Sequence, residues 1–200
     1  LSSGAKFINK RHWDIPEHYG DVNFELQYIR NAIGLLDRSY LGKISLSGAD
    51  TIDFINRIST NDMTKLLMSM VCDTLLVTPK GRIVDYCRVI KQEPEYIMIS
   101  SYVDCVHLME WLNRFLVLED IEISDVSRDY IWLTLMGPRS GLFLNSLTGQ
   151  AVAPDDEFVW INKYDVQFPA FINNHLYVPG YNICIPVDHC IEITDWLKER

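Results

Sequence analysis

The sequence predicts an α+β fold built from antiparallel sheets with helices on one face. Short apolar runs rich in β-branched and aromatic residues alternate with amphipathic segments of helical period. Between residues 42 and 126 these segments come in the order strand, helix, strands, helix, strand. This is the layout of a split βαβ unit, and a similar cycle begins at Tyr130.

The first half of the chain contains clear start and stop signals. An apolar stripe at helical spacing predicts a helix that begins at Asp21 and stops at Gly34. Asp50 stands where an N-cap opens a second helix. Pro79 to Arg82 predicts a tight turn, because proline sets φ and Gly81 accepts a positive φ. The other predicted elements here are strands over 42–46, 71–78, 83–90, 96–101 and 121–126 and a helix over 103–116.

The second half is predicted to repeat the alternation of strands and helices. Gly137-Pro138 opens a short helix that ends near Leu147, with the proline in its first turn. A loop is predicted from Gly149 to Asp156. The remaining predicted elements are strands over 131–136, 158–162, 166–173 and 176–185 and a last helix over 188–198.

Composition and charge narrow the class of protein. Hydrophobic residues make up 48% of the 200 residues and charged residues 22%, which is typical of a packed domain. The net charge is -9 and no basic run occurs, so nucleic acid is not expected as a partner. No apolar run approaches the roughly 20 residues of a membrane span, and no secretory h-region follows Leu1. We therefore expect a cytoplasmic protein without a membrane partner.

The five cysteines indicate a reducing compartment. Their number is odd, no CxxC occurs, and most lie in apolar runs where a free thiol behaves as a small hydrophobe. The alternative is a metal site made of His175, Cys184, His189 and Cys190. Because their spacing matches no standard zinc pattern, we expect no metal.

Short motifs along nearly the whole chain resemble those of one family. The segment Arg30 to Gly42, R-N-A-I-G-L-L-D-R-S-Y-L-G, is similar to the R-x-x-x-G-hydrophobic-x-D-x-S-x-x-G signature of the aminomethyltransferase family. That family includes the glycine-cleavage T-protein and its tetrahydrofolate-dependent relatives. Further matches follow in the same order: Gly4-Ala5, Trp13, Pro16, Tyr19, Gly48, Phe54, Thr60-Asn61-Asp62, Gly81-x-Ile83-Val84-Asp85, Met136-Gly137-Pro138 and Gly180-Tyr181-Asn182.

The resemblance implies the family's N-terminal, folate-binding part, made of two intertwined subdomains. It assigns residues 1–44 and 128–200 to the first subdomain and 45–127 to the inserted one. The implied ligand is tetrahydrofolate or another small molecule. Since the family's C-terminal β-barrel is missing from this sequence, we also expect an apolar face that a protein partner or an oligomer covers.

The resemblance places the reaction site on the hairpin from Cys72 to Ile90. In catalytic relatives the second Asp of a G-G-I-I-D-D motif lies at the reacting folate nitrogen, and the matching position here is Tyr86. A carboxylate is anionic at neutral pH and can hold a cationic amine or relay a proton. A phenol is neutral at that pH, so Tyr86 supplies a hydrogen-bond donor but no counter-charge.

Asp85 is the alternative carboxylate. Side chains alternate along a regular strand, which puts Asp85 on the face of Ile83. Val84, Tyr86 and Arg88 then share the other face, and the carboxylate points the wrong way. A β-bulge here would bring Asp85 back to the ligand side. Without one, we expect a structural acid satisfied by nearby backbone or by Arg88.

The other positions that hold folate in the family also differ in this chain. The aromatic residue before the hairpin turn falls at Asp73, and the aromatic at the far end of the second strand falls at Ile90. The asparagine of the next strand falls at Ser101, and the glutamate that holds the pterin edge falls at Asn182. Together with Tyr86, these departures predict a pterin site that is rebuilt or abandoned.

Three functions remain open from the sequence. The first is tetrahydrofolate-dependent transfer of an aminomethyl or methyl group, with an altered or lost catalytic site. The second is a non-catalytic binding protein on the same scaffold. The third is the branch of the family linked to iron–sulfur cluster upkeep and tRNA modification, which also lacks the catalytic Asp. That branch carries a K-G-C-Y-x-G-Q motif, which does not occur in these 200 residues.

Overall fold

The computed structural model describes residues 4–11, 13–67, 71–152, 158–173 and 178–199. The chain divides into two compact units, Leu1–Tyr40 with Asp129–Arg200, and Leu41–Arg128. The family resemblance predicts boundaries at 44/45 and 127/128, and the first of these falls inside the strand Lys43–Ser47. That strand belongs wholly to the second unit, because both of its neighbours in the sheet lie there.

The first unit opens with a hairpin that the sequence did not predict. Strands β1 (Lys6–Lys10) and β2 (Trp13–His18) pair antiparallel as a sheet of their own. The helix α1 (Val22–Asn31) follows, and the Asp21 side chain caps it by accepting two backbone N–H bonds of the first turn. The chain then enters β3 (Gly34–Asp37), where the sequence predicted only the end of the helix.

The second unit is a five-stranded antiparallel sheet with helices on one face. Its elements are β4 (Lys43–Ser47), α2 (Thr51–Ile58), β5 (Val71–Val77), β6 (Ile83–Gln92), β7 (Glu95–Ile99), α3 (Val106–Asn113) and β8 (Glu122–Asp125). The strand order is β5-β6-β7-β4-β8. Phe54 of α2 and Leu112 of α3 pack with Leu46, Val89 and Met98 of the sheet in one apolar core. Asp50 stands before α2, but its carboxylate accepts from the Asp120 N–H instead of capping the helix.

The chain returns to the first unit to complete a second five-stranded antiparallel sheet. The added elements are β9 (Tyr130–Met136), α4 (Ser140–Thr148), β10 (Phe158–Lys163), β11 (Val166–Ile172), β12 (Gly180–Pro186) and α5 (Cys190–Lys198). The order is β10-β11-β12-β9-β3, with α4 and α5 packed on one face. The predicted α+β class is confirmed. Residues 176 and 177 of the predicted strand 176–185 lie outside the described residues.

The signature segment from Arg30 to Gly42 has a structural role where the chain passes into the second unit. The Asp37 carboxylate accepts from the Ser39 N–H at 2.9 Å, and the Ser39 hydroxyl accepts from the Trp132 N–H at 3.0 Å. A Cβ on Gly42 would lie 2.7 Å from the backbone that enters α3, so only glycine fits there. These contacts explain the serine and the second glycine of the signature by packing alone.

Lys43 joins the two ends of the second unit. Its side chain is fully buried, and Nζ donates to the Leu41 carbonyl at 2.9 Å and to the Ser127 carbonyl at 3.2 Å. Leu41 lies where the chain enters this unit, and Ser127 lies next to the residue where it leaves. The buried ammonium therefore ties the two crossing segments together through backbone acceptors.

Candidate functional site

The predicted hairpin of β5 and β6 forms, with a tight turn at its tip. Gly81 adopts a φ of +73°, as the turn requires, and its N–H donates to the Thr78 carbonyl at 2.8 Å. The two strands are not in simple register. Leu76 lies opposite Asp85, but the next residue, Val77, lies opposite Ile83, so Val84 is an extra residue that forms a β-bulge.

The bulge decides which way the acids and the tyrosine point. Residues opposite each other on paired strands share a face, and neighbours along a strand alternate. Asp85 therefore shares the face of Leu76, which is the core face. Ile83 goes to the opposite face with Val77, and Val84 packs against the core. The expected grouping of Ile83 with Asp85 is wrong, because the bulge interrupts the alternation between them.

Asp85 is a buried acid enclosed by donors. It is 2% exposed, and the Ser100 and Ser101 hydroxyls each donate to it at 2.5 Å. The Ser101 N–H adds a bond of 3.2 Å, and the Cys87 thiol lies 3.5 Å from the same carboxylate. Burial, and to a smaller extent the Asp85 charge, raises the pKa of the Cys87 thiol well above its usual value. A bulge is therefore present, but Asp85 lies on the core face, so the expectation that a bulge would bring it to the ligand side is wrong. Ser100 and Ser101, rather than Arg88, satisfy this structural acid.

The opposite face of the hairpin carries a cluster of Tyr86, Asp73 and Arg88. Asp73 and Arg88 are direct cross-strand partners, and their side chains form a two-pronged ion pair, Nε to Oδ1 at 2.5 Å and Nη2 to Oδ2 at 2.6 Å. The Arg88 side chain is 8% exposed and that of Asp73 is 37% exposed. Burial, then the Asp73 carboxylate, raises the pKa of the half-buried Tyr86, so the phenol is neutral at physiological pH.

The Thr60-Asn61-Asp62 motif holds the strand that carries Asp73. The Asn61 side-chain amide donates to the Asp73 carbonyl at 2.9 Å, and the Thr60 N–H donates to the Leu75 carbonyl at 3.0 Å. The Asp62 carboxylate accepts from the Thr64 N–H at 3.0 Å, which closes a local turn. The motif therefore fixes the backbone of β5 from outside the sheet.

The remaining residues of the predicted site lie in different places. Ile90 is 2% exposed and lies on the same face of the hairpin as Tyr86, two residues beyond Arg88 on β6. Ser101 is exposed, but its hydroxyl is bonded to Asp85. Asn182 belongs to the first unit, where it is buried and its Oδ1 accepts from the Thr134 hydroxyl at 2.8 Å. Contact of any of these residues with a folate stays a prediction.

The roles of Arg88 and Ser100 were not predicted from the sequence. Arg88 lies on the face of Tyr86 as expected, but it pairs with Asp73 rather than with Asp85. Ser100 carried no signal beyond its place at the end of a predicted strand. The face with Tyr86 carries a neutral phenol and the Asp73 carboxylate, whose charge Arg88 balances, and neither group is well suited to act as a general base.

The described residues show neither a metal centre nor a membrane span. No three His, Cys, Asp or Glu side chains among them come together as metal ligands, and His175 of the alternative site lies outside them. No described helix is long and apolar enough to cross a membrane. None of the five cysteines, all of which lie in the described part of the chain, forms a disulfide, and four of them are buried.

Solved structures share the fold. The glycine cleavage system aminomethyltransferase T from Bartonella henselae superposes with a TM-score of 0.78 at 18% identity, covering 98% of this chain and 54% of that one. A chain of the heterotetrameric sarcosine oxidase from Corynebacterium sp. U-96, solved with pyrrole 2-carboxylate, gives a TM-score of 0.60 at 12% identity, covering 88% of this chain and 90% of that one. The fold is thus that of an aminomethyltransferase T-protein over about half of its length.

Sequence comparison names the family. The GCVT N-terminal domain family matches residues 1–199, and the chain belongs to it. The aminomethyltransferase of Bacillus subtilis (strain 168) is 27% identical over 199 residues, which are 98% of this chain and 54% of that protein. That of Listeria monocytogenes serotype 4a is 28% identical over 164 residues, 82% of this chain and 45% of that protein. The chain spans about half the length of the curated relatives it matches. The predicted resemblance is confirmed.

Proposed function

We propose that this chain is a tetrahydrofolate-binding, aminomethyltransferase-like domain in which the one-carbon transfer site is altered. The observation that carries the proposal is the cluster of Tyr86 with the Asp73–Arg88 ion pair, at the place on the hairpin where the family resemblance predicts a catalytic carboxylate. The family supports the ligand class. The five cysteines, none of which forms a disulfide, support a reducing compartment, which we propose to be the cytoplasm.

The altered site follows from where the carboxylates are. Asp85 is 2% exposed on the core face, so it cannot reach a ligand on the face of Tyr86. Asp73 is on that face, but both of its oxygens bind Arg88. A folate with a cationic one-carbon adduct would therefore meet a neutral phenol and a charge-balanced ion pair. A missing acid–base group typically slows transfer by about 10² to 10⁴-fold.

Calorimetric titration with tetrahydrofolate tests the ligand. We expect saturable binding, and at about 100 times the dissociation constant a gain of roughly 2.7 kcal/mol in the free energy of unfolding. Tyr86→Phe serves as the matched variant, because it keeps the ring and removes only the hydroxyl. If about 1 mM tetrahydrofolate, a concentration that detects even weak binding, gives neither a binding signal nor a shift in melting temperature, the proposal is contradicted.

The transfer step is tested in the Bacillus subtilis relative, because this chain spans only 54% of it. Tyrosine is placed there at the position aligned with Tyr86, and formation of methylenetetrahydrofolate from an aminomethyl donor is followed. We expect kcat to fall by about 10²-fold or more with folate affinity retained. A kcat within about threefold of the parent enzyme would show that a phenol suffices at this position and that the site is not altered in function.

A non-catalytic subunit is the second candidate, and the sarcosine oxidase chain favours it. The alignment covers 88% of this chain and 90% of that one, which belongs to a heterotetrameric enzyme. A domain of this size therefore occurs as a chain within a larger assembly. This candidate predicts association with another polypeptide and does not require folate.

A further inference from the structure

One buried acceptor of the first unit has no donor among the described residues. The Asn173 side chain is 1% exposed, and no described N–H or O–H group lies within hydrogen-bond distance of its Oδ1. Leaving a buried amide carbonyl without a donor costs free energy, so folded proteins contain few such groups. The place of Asn173 in the sheet indicates which kind of donor would satisfy it.

Asn173 lies on the face of the sheet opposite α4 and α5. These helices pack on the face of Tyr181, and because neighbours along a strand alternate, Asn182 points to the other face. Phe171 pairs with Asn182, and Asn173 follows two residues later with its N–H donating to the Gly180 carbonyl at 2.8 Å. Asn173 and Asn182 are therefore diagonal neighbours on one face, about 7–8 Å apart.

The acceptor oxygen of Asn182 is already used within the sheet. Asn182 pairs with the fully buried Thr134 of β9, whose hydroxyl donates to its Oδ1 at 2.8 Å. The family resemblance predicts a glutamate at position 182, and the two oxygens of a carboxylate accept several hydrogen bonds. An amide has one acceptor oxygen, and here Thr134 already donates to it. The acceptor on this face without a described donor is Asn173 Oδ1.

The surroundings of Asn173 favour a flat, neutral ligand. None of the described residues that β9, β11 and β12 place on this face is charged, so a cationic donor would be buried here without a counter-charge. The rings of Trp132 and Phe171, on the strands that flank β12, lie 5.0 Å apart. Aromatic side chains pack well against planar rings. These features fit a planar heterocycle with a neutral N–H or amino group.

We infer that Asn173 is a specificity-determining residue whose Oδ1 accepts a hydrogen bond from the neutral donor edge of a planar heterocyclic ligand. The pterin ring of tetrahydrofolate has such an edge, made of a ring N–H and an amino group. The identity of this ligand rests on the proposed function, whereas the need for a neutral donor follows from the first unit alone. The inference assigns to position 173 the acceptor role that the resemblance predicts for position 182.

Asn173→Leu tests the acceptor, because leucine has a similar volume and no polar atom. Without ligand, the melting temperature should equal or exceed that of the parent, because the change removes a buried acceptor that has no described donor. With ligand, calorimetry should show a rise of at least about tenfold in the dissociation constant of tetrahydrofolate. We expect the same loss for 6-methyltetrahydropterin, which has the donor edge but no p-aminobenzoylglutamate.

Asn145→Leu is the matched control, with the opposite expectation. The Oδ1 of Asn145 accepts from the Val152 N–H at 2.7 Å, and Asn145 belongs to α4, which packs on the other face of the sheet. This change should lower the melting temperature, because the Val152 N–H loses its acceptor. Both dissociation constants should stay within about twofold of the parent values.

The outcomes separate this inference from the proposed function. Equal affinity of the parent and Asn173→Leu for tetrahydrofolate overturns the inference and leaves the proposed function standing. Binding of 6-methyltetrahydropterin but not of tetrahydrofolate, weakened in Asn173→Leu, supports the inference and contradicts the proposed function. A parent that binds neither compound at about 1 mM overturns both. A melting temperature of Asn173→Leu as low as that of Asn145→Leu reveals a structural role for the amide and overturns the inference alone.

Discussion

Replacement of Asp85 separates a structural acid from a catalytic one. In Asp85→Ala, the hydroxyls of Ser100 and Ser101 and the Ser101 N–H lose their acceptor. Ser101 is exposed and can turn to water, but Ser100 is 2% exposed and its hydroxyl stays buried. An unsatisfied buried donor costs about 1–3 kcal/mol, and the lost bonds to Ser101 add to this.

We expect Asp85→Ala to lower the free energy of unfolding by about 2–4 kcal/mol. Asp85→Asn keeps the volume and one acceptor oxygen, so about 1–2 kcal/mol is expected. Either value is large beside a total stability of about 5–15 kcal/mol. Urea unfolding followed by circular dichroism measures both, with an unchanged m-value as the sign that only stability has moved.

The control is Asp53→Ala, a change at an exposed acid of α2 that should stay within about 0.5 kcal/mol. Folate binding is measured in the same preparations. A loss below about 0.5 kcal/mol in Asp85→Ala would refute the closed hydrogen-bonding environment around this carboxylate. Loss of folate binding in Asp85→Asn at unchanged stability would refute its placement on the core face.

Three further changes test the electrostatics of the second unit. Lys43→Met should cost about 2–4 kcal/mol in urea unfolding, because two backbone carbonyls at the ends of the unit lose their buried donor. Backbone N–H donors, above all that of Val117, and the Arg57 side chain lower the pKa of Glu119 to about 2. The free energy of unfolding should therefore fall as the pH drops from 4.5 to 2, and Glu119→Gln should flatten that part of the pH profile. Tyr86→Asp should lower the free energy of unfolding at neutral pH, and adding Asp73→Tyr should restore it. Effects of the two changes that add within about 0.5 kcal/mol in a double-mutant cycle would contradict the coupling between positions 73 and 86.

Elements with strong local signals could be predicted from the sequence. The Pro79–Arg82 turn and the strands beside it follow from turn chemistry and from apolar runs, and both occur. The β1–β2 hairpin was missed, because its strands mix charged and apolar residues and form a sheet of their own. The strand β3 was missed because a glycine after an amphipathic stripe also predicts a helix end.

The location of the candidate site was predictable, but its detailed arrangement was not. Counting back from the turn without a bulge sets Asp73 opposite Cys87 and leaves Arg88 on the other face. The extra residue Val84 shifts the register by one, which brings Arg88 opposite Asp73 and turns Asp85 inward. Nothing local in a Val-Asp pair marks a bulge, so this shift is a property of the folded sheet rather than of the strand sequence.

With the register known, the departures at positions 73 and 86 can be read as one change. The family resemblance places an aromatic residue at position 73 and an acid at position 86, and this chain has Asp73 and Tyr86. The two positions are diagonal neighbours, about 7–8 Å apart, on one face of the hairpin. Acids at both would repel each other with a single Arg88 between them. By the resemblance, this chain has the acid and the ring in exchanged positions, and in the structure Arg88 neutralises the acid. We expect such an exchange to keep the composition of the face but to leave no unpaired charge for transfer chemistry, so the proposed function predicts that folate still binds while turnover falls.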